Sequence, residues 1–407
     1  MSSTDESSAL VGVGESYILD VPPEVLLKVM EQLTPTNLSN FVLSCKSVFV
    51  IFEQYKHTVM INVLQGLPEF DTMLYLLTAH KDELHPARML RPRIIDFNTG
   101  LFTVNLMHGD VAPNSTIVPC SVTQGRCLTP AEVPKYTLKP WDLMALWNMA
   151  TVIDWWVELF PRVCWRDAHL NRRCLRGSEE LRVRKAVAHW WLYAHYHHGF
   201  TYNYRNYQQP KRWSDDTRLQ QIRTMSTNEI YELNDLWGVV KLAVSADLCS
   251  SPERVCVCKG NEGVDLVPWG QREYRHQKIV DTYSKLSPEQ LKYYLIYFSN
   301  WKRVETAREI SQGSRDFSRD TETLSVSIRK VIEERVALSR IDDPRDVPRF
   351  GILDGSEMDS QHASRWMNDA WPDGKVPLTR AQIDRLPQDQ SALVVRGDDG
   401  TDACCPY

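Results

Sequence analysis

The sequence predicts a mainly helical protein, in which a small N-terminal module of three helices precedes a larger, irregular helical domain with a minor β-hairpin. Apolar residues recur at intervals of three and four along most of the chain, which is helical spacing. Proline, glycine or capping residues bound the segments that show this spacing. No repeat of fixed period is visible, which counts against repeat architectures.

Proline and capping residues, together with the spacing of the apolar residues, predict the three N-terminal helices. Pro22 and Pro23 fix φ where the first helix begins. Pro35 ends this helix, because proline disfavours the α conformation of the residue before it. Thr36 or Asn37 then caps the second helix. The apolar positions of the three helices are Val25, Leu26, Val29, Met30 and Leu33, then Leu38, Phe41, Val42 and Cys45, and then Val48, Phe49, Ile51, Phe52 and Tyr55.

This order of features resembles the F-box motif. The family begins Leu-Pro-x-Glu, and this chain has Val21-Pro22-Pro23-Glu24, with a conservative departure at the first position. An apolar helix ending in leucine follows at Leu26 to Leu33, and a Pro-x-x-Leu step follows at Pro35 to Leu38. The family's closing pattern, Val/Leu-Ser-x-Lys/Arg and then an aromatic residue, is matched by Leu43 to Lys46 and by Phe49.

The resemblance implies that the module binds the Skp-type adaptor of a cullin-RING ubiquitin ligase and, through it, a cullin. Three short helices also have too little interior to cover all their apolar residues, which favours a partner or a neighbouring domain. The residues expected at the adaptor interface are Val21, Pro22, Leu26, Met30, Leu33, Leu38, Val42 and Lys46. The alternative is an ordinary helical hairpin that packs on its own domain.

Further helices follow from the same spacing and from capping residues. They are predicted at Glu69 to Ala79, from Pro140 to beyond Val157, from Ser178 to Gly199, from about Asn228 to beyond Val240, from Ser287 to Trp301 and from about Thr321 to Leu338. A strand is predicted at Leu101 to Met107, a hairpin at Arg254 to Cys258 and Val264 to Val267, and a short helix near Thr379 to Leu386.

These elements divide the chain into five parts. Residues 1–16 are expected to be disordered, 17–64 to form the F-box module and 65–139 to form a helix and a proline-rich connection. Residues 140–342 would be the helical domain that selects a target, and 343–407 a loop-rich tail. The segment Pro140 to Trp147 looks like the C-terminal region of many filamentous-fungal F-box proteins, a likeness that implies no known substrate.

Composition indicates which classes of binding partner and which cellular compartment are expected for this protein. The net charge of −5 argues against general affinity for nucleic acid or anionic membrane. No signal peptide and no apolar run long enough to span a bilayer are visible. The ten cysteines are scattered, which is typical of reduced thiols. A cytoplasmic or nuclear protein without a cofactor is expected.

Four histidines lie close together in sequence: His189, His195, His197 and His198. No HExxH sequence is present, and no acidic residue lies inside the cluster to complete a metal site. Because aromatic residues surround them, we expect packing or helix C-terminal roles and no bound metal. The alternative is a helical metal-dependent enzyme that uses this cluster.

Two cysteine pairs and a basic stretch offer weaker signals. Cys256 and Cys258 are predicted to be buried strand thiols, and Cys404-Cys405 fits a prenylation box poorly because proline and tyrosine follow it. The stretch from Arg162 to Arg223 is locally basic. Its charges are expected to form a solvated helix face, although arginine forks for an acidic or phosphorylated target would have the same composition.

The function predicted from these signals is that of a substrate-recognition subunit of a Skp–cullin–F-box ubiquitin ligase. The F-box would bind the adaptor, the C-terminal region would bind an unknown protein target, and the chain would carry out no chemistry of its own. An F-box interaction protein acting outside ubiquitin ligation has the same sequence features and is the first alternative.

Overall fold

The computed structural model shows a mainly helical fold. It describes residues 21–79, 93–97, 102–106, 135–166, 172–198, 216–248, 280, 283–297, 322–338 and 351–353. The chain divides into two compact units, with the boundary between Gly66 and Leu67. The sequence-based boundary of the N-terminal module lies close by, after residue 64.

The first unit consists of three helices. Helix α1 covers Pro23–Glu31, α2 covers Pro35–Ser44 and α3 covers Lys46–Gln65. Both α1 and α2 begin with a proline at the first helical position, which needs no N–H there. The Thr34 hydroxyl caps α2 by accepting a hydrogen bond from the backbone N–H of Asn37 over 3.3 Å. These three helices confirm the predicted helical character of this region.

The long helix α3 is the element on which α1 and α2 both pack. Met30 of α1 and Leu38 of α2 are completely buried, as is Val48 of α3. A polar link joins α1 to α3, because the Asn62 amide donates to Glu31 Oε1 over 2.7 Å. Lys28 bonds the other oxygen of this carboxylate, and these contacts lower the pKa of Glu31, with the Lys28 bond contributing most.

The second unit opens with a helix and a small sheet. Helix α4 covers Phe70–Ala79, and the strands are β1, Arg93–Phe97, β2, Phe102–Leu106, and β3, Lys135–Leu138. The strand order is β2-β1-β3; β1 and β2 are antiparallel, whereas β1 and β3 are parallel. Ile95 of β1 pairs with Val104 and with Tyr136.

The remaining helices form the body of the second unit. They are α5, Pro140–Cys164, α6, Gly177–Tyr193, α7, Thr217–Arg223, α8, Thr227–Ala243, α9, Pro288–Tyr297, and α10, Leu324–Leu338. One π-helical turn, Ala194–His198, continues α6, and another, Val244–Leu248, continues α8. Acidic residues complete the N-terminal caps of α5, α6 and α8; for example, Glu229 accepts from the Ser226 N–H over 2.8 Å.

A row of tryptophans forms the centre of this unit. Trp156 of α5 lies edge to face with Trp190 of α6, and Trp190 lies edge to face with Trp237 of α8. The Trp156 indole N–H donates to the Pro288 carbonyl over 3.0 Å, and that of Trp237 donates to the Ser325 hydroxyl over 2.7 Å. The row therefore joins five helices, and these three tryptophans lie in the core of the unit.

Ionic side chains are also buried here. Arg184 of α6 pairs with Glu69 and with Asp154 of α5, and all three are buried. Arg223 of α7 pairs with Glu334 of α10 over 2.6 Å. Because buried charges need partners, each pairing restricts how its helices can pack.

The structure confirms the predicted helices at α4, α5, α6, α8, α9 and α10, and the predicted strand at β2. It adds elements that the sequence did not reveal, namely β1, β3 and α7. The predicted hairpin at 254–267, the predicted helix at 379–386 and the predicted disorder of residues 1–16 all concern residues outside the described ranges. Within the described ranges, no helix is long and apolar enough to cross a membrane.

Candidate adaptor-binding surface

The eight residues predicted to contact an adaptor fall into three groups by exposure. Leu26, Met30, Leu38 and Val42 are buried; Val21 and Leu33 are half-buried; Pro22 and Lys46 are exposed. The four buried residues lie on the helix faces that form the core of the first unit. The adaptor-binding assignment stays a prediction, and for these four residues contact with an adaptor would require the helices to separate.

A different set of apolar side chains in this unit faces solvent. Their exposed fractions are 49% for Val25, 42% for Val29, 79% for Leu43, 44% for Phe49, 56% for Val50 and 41% for Tyr55. They come from all three helices. Val25 and Val29 are four residues apart in α1 and therefore share one stripe of that helix.

The helical spacing alone did not separate these exposed residues from the buried ones. Leu26 and Met30 form one stripe of α1, and Val25 and Val29 form the stripe immediately beside it. Both stripes are apolar, but only the stripe of Leu26 and Met30 is buried. The width of this apolar face was the available signal, because a helix that packs on one side needs only a limited apolar stripe.

The junction between α2 and α3 carries exposed or half-buried groups of mixed character. Cys45 lies between the two helices in an extended conformation, with φ of −148° and ψ of 133°. Hydrogen bonds from the backbone N–H groups of Val48 and Ser47 lower the pKa of its thiol. Lys46 follows immediately and is exposed. Leu43, Cys45 and Lys46 thus place an apolar side chain, a thiol and a cation at this junction.

The histidine cluster lies in the second unit and is mostly buried. His197 and His198 are in the π-helical turn after α6 and are buried, while His189 and His195 are half-buried. His198 Nε2 accepts a hydrogen bond from the backbone N–H of Thr323 over 3.4 Å. The cluster therefore contributes to packing of this turn near the start of α10.

Charge around the cluster is unfavourable for a metal cation. Burial lowers the pKa of His197 and the pKa of His198 well below the ordinary histidine value. The cationic Arg218 lowers both pKa values further, and Lys285 also lowers that of His198. Among the described residues, no group of three His, Cys, Asp or Glu side chains has the arrangement of a metal site. The neighbouring cations would repel a divalent ion.

In the basic stretch between 162 and 223, Arg172, Arg176 and Lys185 are exposed, whereas the predicted solvated position is wrong for Arg184. Arg184 is 3% exposed and pairs with buried carboxylates. Arg173 forms a two-point pair with Glu179, with distances of 2.6 and 2.5 Å. Lys211 and Arg212 lie outside the described residues, as do the thiol pairs at 256 and 258 and at 404 and 405. Cys45, Cys164 and Cys174 are free thiols.

Comparisons of the chain with protein-family models, with curated proteins and with solved structures found no match. Function must therefore be inferred from the arrangement of the residues themselves.

Proposed function

We propose that this protein is a substrate-recognition subunit of a Skp–cullin–F-box ubiquitin ligase, in which the first unit binds the Skp-type adaptor. The observation that carries the proposal is the uncovered apolar surface of that unit, together with the F-box-like sequence in the same three helices. Val25, Val29, Leu43, Phe49, Val50 and Tyr55 supply that surface. Contiguous exposed apolar surface marks an interaction site, and the proposal requires these side chains to act together as such a surface.

The exposed apolar side chains of the proposed interface are most numerous where α2 meets α3. Leu43 has an exposed fraction of 79%, and Phe49 and Val50 follow within two turns of α3. Burying one such side chain contributes about 1.5–3 kcal/mol, so a few of them supply most of a stable interface. Lys46 between them would attract an acidic partner and would favour fast association.

The second unit would hold the target protein. Binding a target beside the ubiquitin-loaded enzyme raises the effective concentration of its lysines, which requires no catalytic group in this chain. The tryptophan row suits this role, because it joins five helices and would support such a surface from within. A cytoplasmic or nuclear location follows from the same proposal.

Co-expression of the full chain with the Skp-type adaptor of its host tests this function. We expect co-elution from size-exclusion chromatography as a one-to-one complex, and we expect cullin to join when it is added. A complex with adaptor that never recruits cullin would favour an interaction protein acting outside ubiquitin ligation. Separate elution of a folded chain would contradict the adaptor proposal itself.

A further inference from the structure

We draw no further inference here: the strongest candidate, the exposed face of α9 formed by Tyr293, Ile296 and Tyr297, carries none because nothing in the described part of the chain shows what covers it.

Discussion

Trp156 and Trp190 meet edge to face at the centre of the second unit, with their ring centroids 5.0 Å apart and their planes inclined at 82°. Both side chains are completely buried. Because Trp156 also donates to the Pro288 carbonyl, this contact joins α5, α6 and α9. Edge-to-face pairs add about 0.5–1.5 kcal/mol beyond the area that they bury.

Trp156→Ala should lower the free energy of unfolding by about 3–5 kcal/mol, because it leaves a large cavity and removes the indole hydrogen bond to the Pro288 carbonyl. Trp141→Ala is the matched control, since Trp141 is in the same helix but is 63% exposed. The control should change stability by less than about 1 kcal/mol, mostly through its contact with Lys139. Urea denaturation followed by circular dichroism measures both. Equal effects would contradict the assignment of Trp156 to the core.

Arg184→Met should destabilise the second unit by about 3–5 kcal/mol, because it leaves Glu69 and Asp154 buried without their cation. Burial raises the pKa of Glu69, and Arg184 opposes this rise. Removing the arginine raises this pKa further, so the folded variant binds a proton more tightly than the unfolded chain. Its stability should therefore fall more steeply than that of the wild type as the pH rises above the ordinary pKa of glutamate.

Thermal unfolding of Arg184→Met at several pH values tests this coupling. Replacing Glu69 with Gln in the same variant should flatten the pH dependence, because the titrating group is then absent. A variant whose stability rises with pH would show that the buried carboxylates find another cation.

Glu232 should produce a second pH dependence. Burial, as the largest cause, raises the pKa of Glu232 from 4.5 to about 7. The contribution of Glu232 to the free energy of unfolding is present at low pH. It is lost as the pH rises from 4.5 to above about 7, and the loss is at most about 3 kcal/mol. Glu232→Gln should remove that loss and leave the variant more stable than the wild type at pH 8. Parallel stability curves for the two proteins would contradict the raised pKa.

Met30→Ala tests the core of the first unit. Met30 is completely buried, so the substitution should cost about 2–5 kcal/mol in the unfolding of this unit. Leu43→Ala should change stability far less, since Leu43 is 79% exposed. Hydrogen exchange across residues 21–66 resolves the two effects. Similar loss of protection in both variants would mean that Leu43 is not a surface residue in solution.

Much of the fold was predictable because the relevant signals are local. The Ser226 cap with Glu229 three residues later marks the start of α8, and Pro288 marks the start of α9. In contrast, α7 has only seven residues, of which Leu219 and Ile222 alone are apolar, so no period is visible. Strand β3 pairs in parallel with β1 across a long interval of sequence, and such pairing has no local signature.

Burial of individual charges was not predictable from local sequence. Arg184 lies among exposed basic residues, but its partner Glu69 is 115 positions away in the chain. Similarly, the spacing in α1 places Leu26 and Val29 on adjoining stripes without indicating which stripe packs on α3. The sequence therefore predicted a partner-binding module, whereas the side chains available to a partner emerged only from the packed helices.

The affinity of the adaptor for surface variants of the first unit tests the central claim most directly. Val29→Gln with Leu43→Gln removes exposed apolar surface, whereas Asn40→Gln with Glu53→Gln changes exposed polar positions of the same unit as a control. With both variants as stable as the wild type, calorimetric titration should show at least about a hundredfold weaker adaptor binding for the apolar pair and no change for the control. Equal affinity of all three proteins would contradict the claim that this surface binds the adaptor.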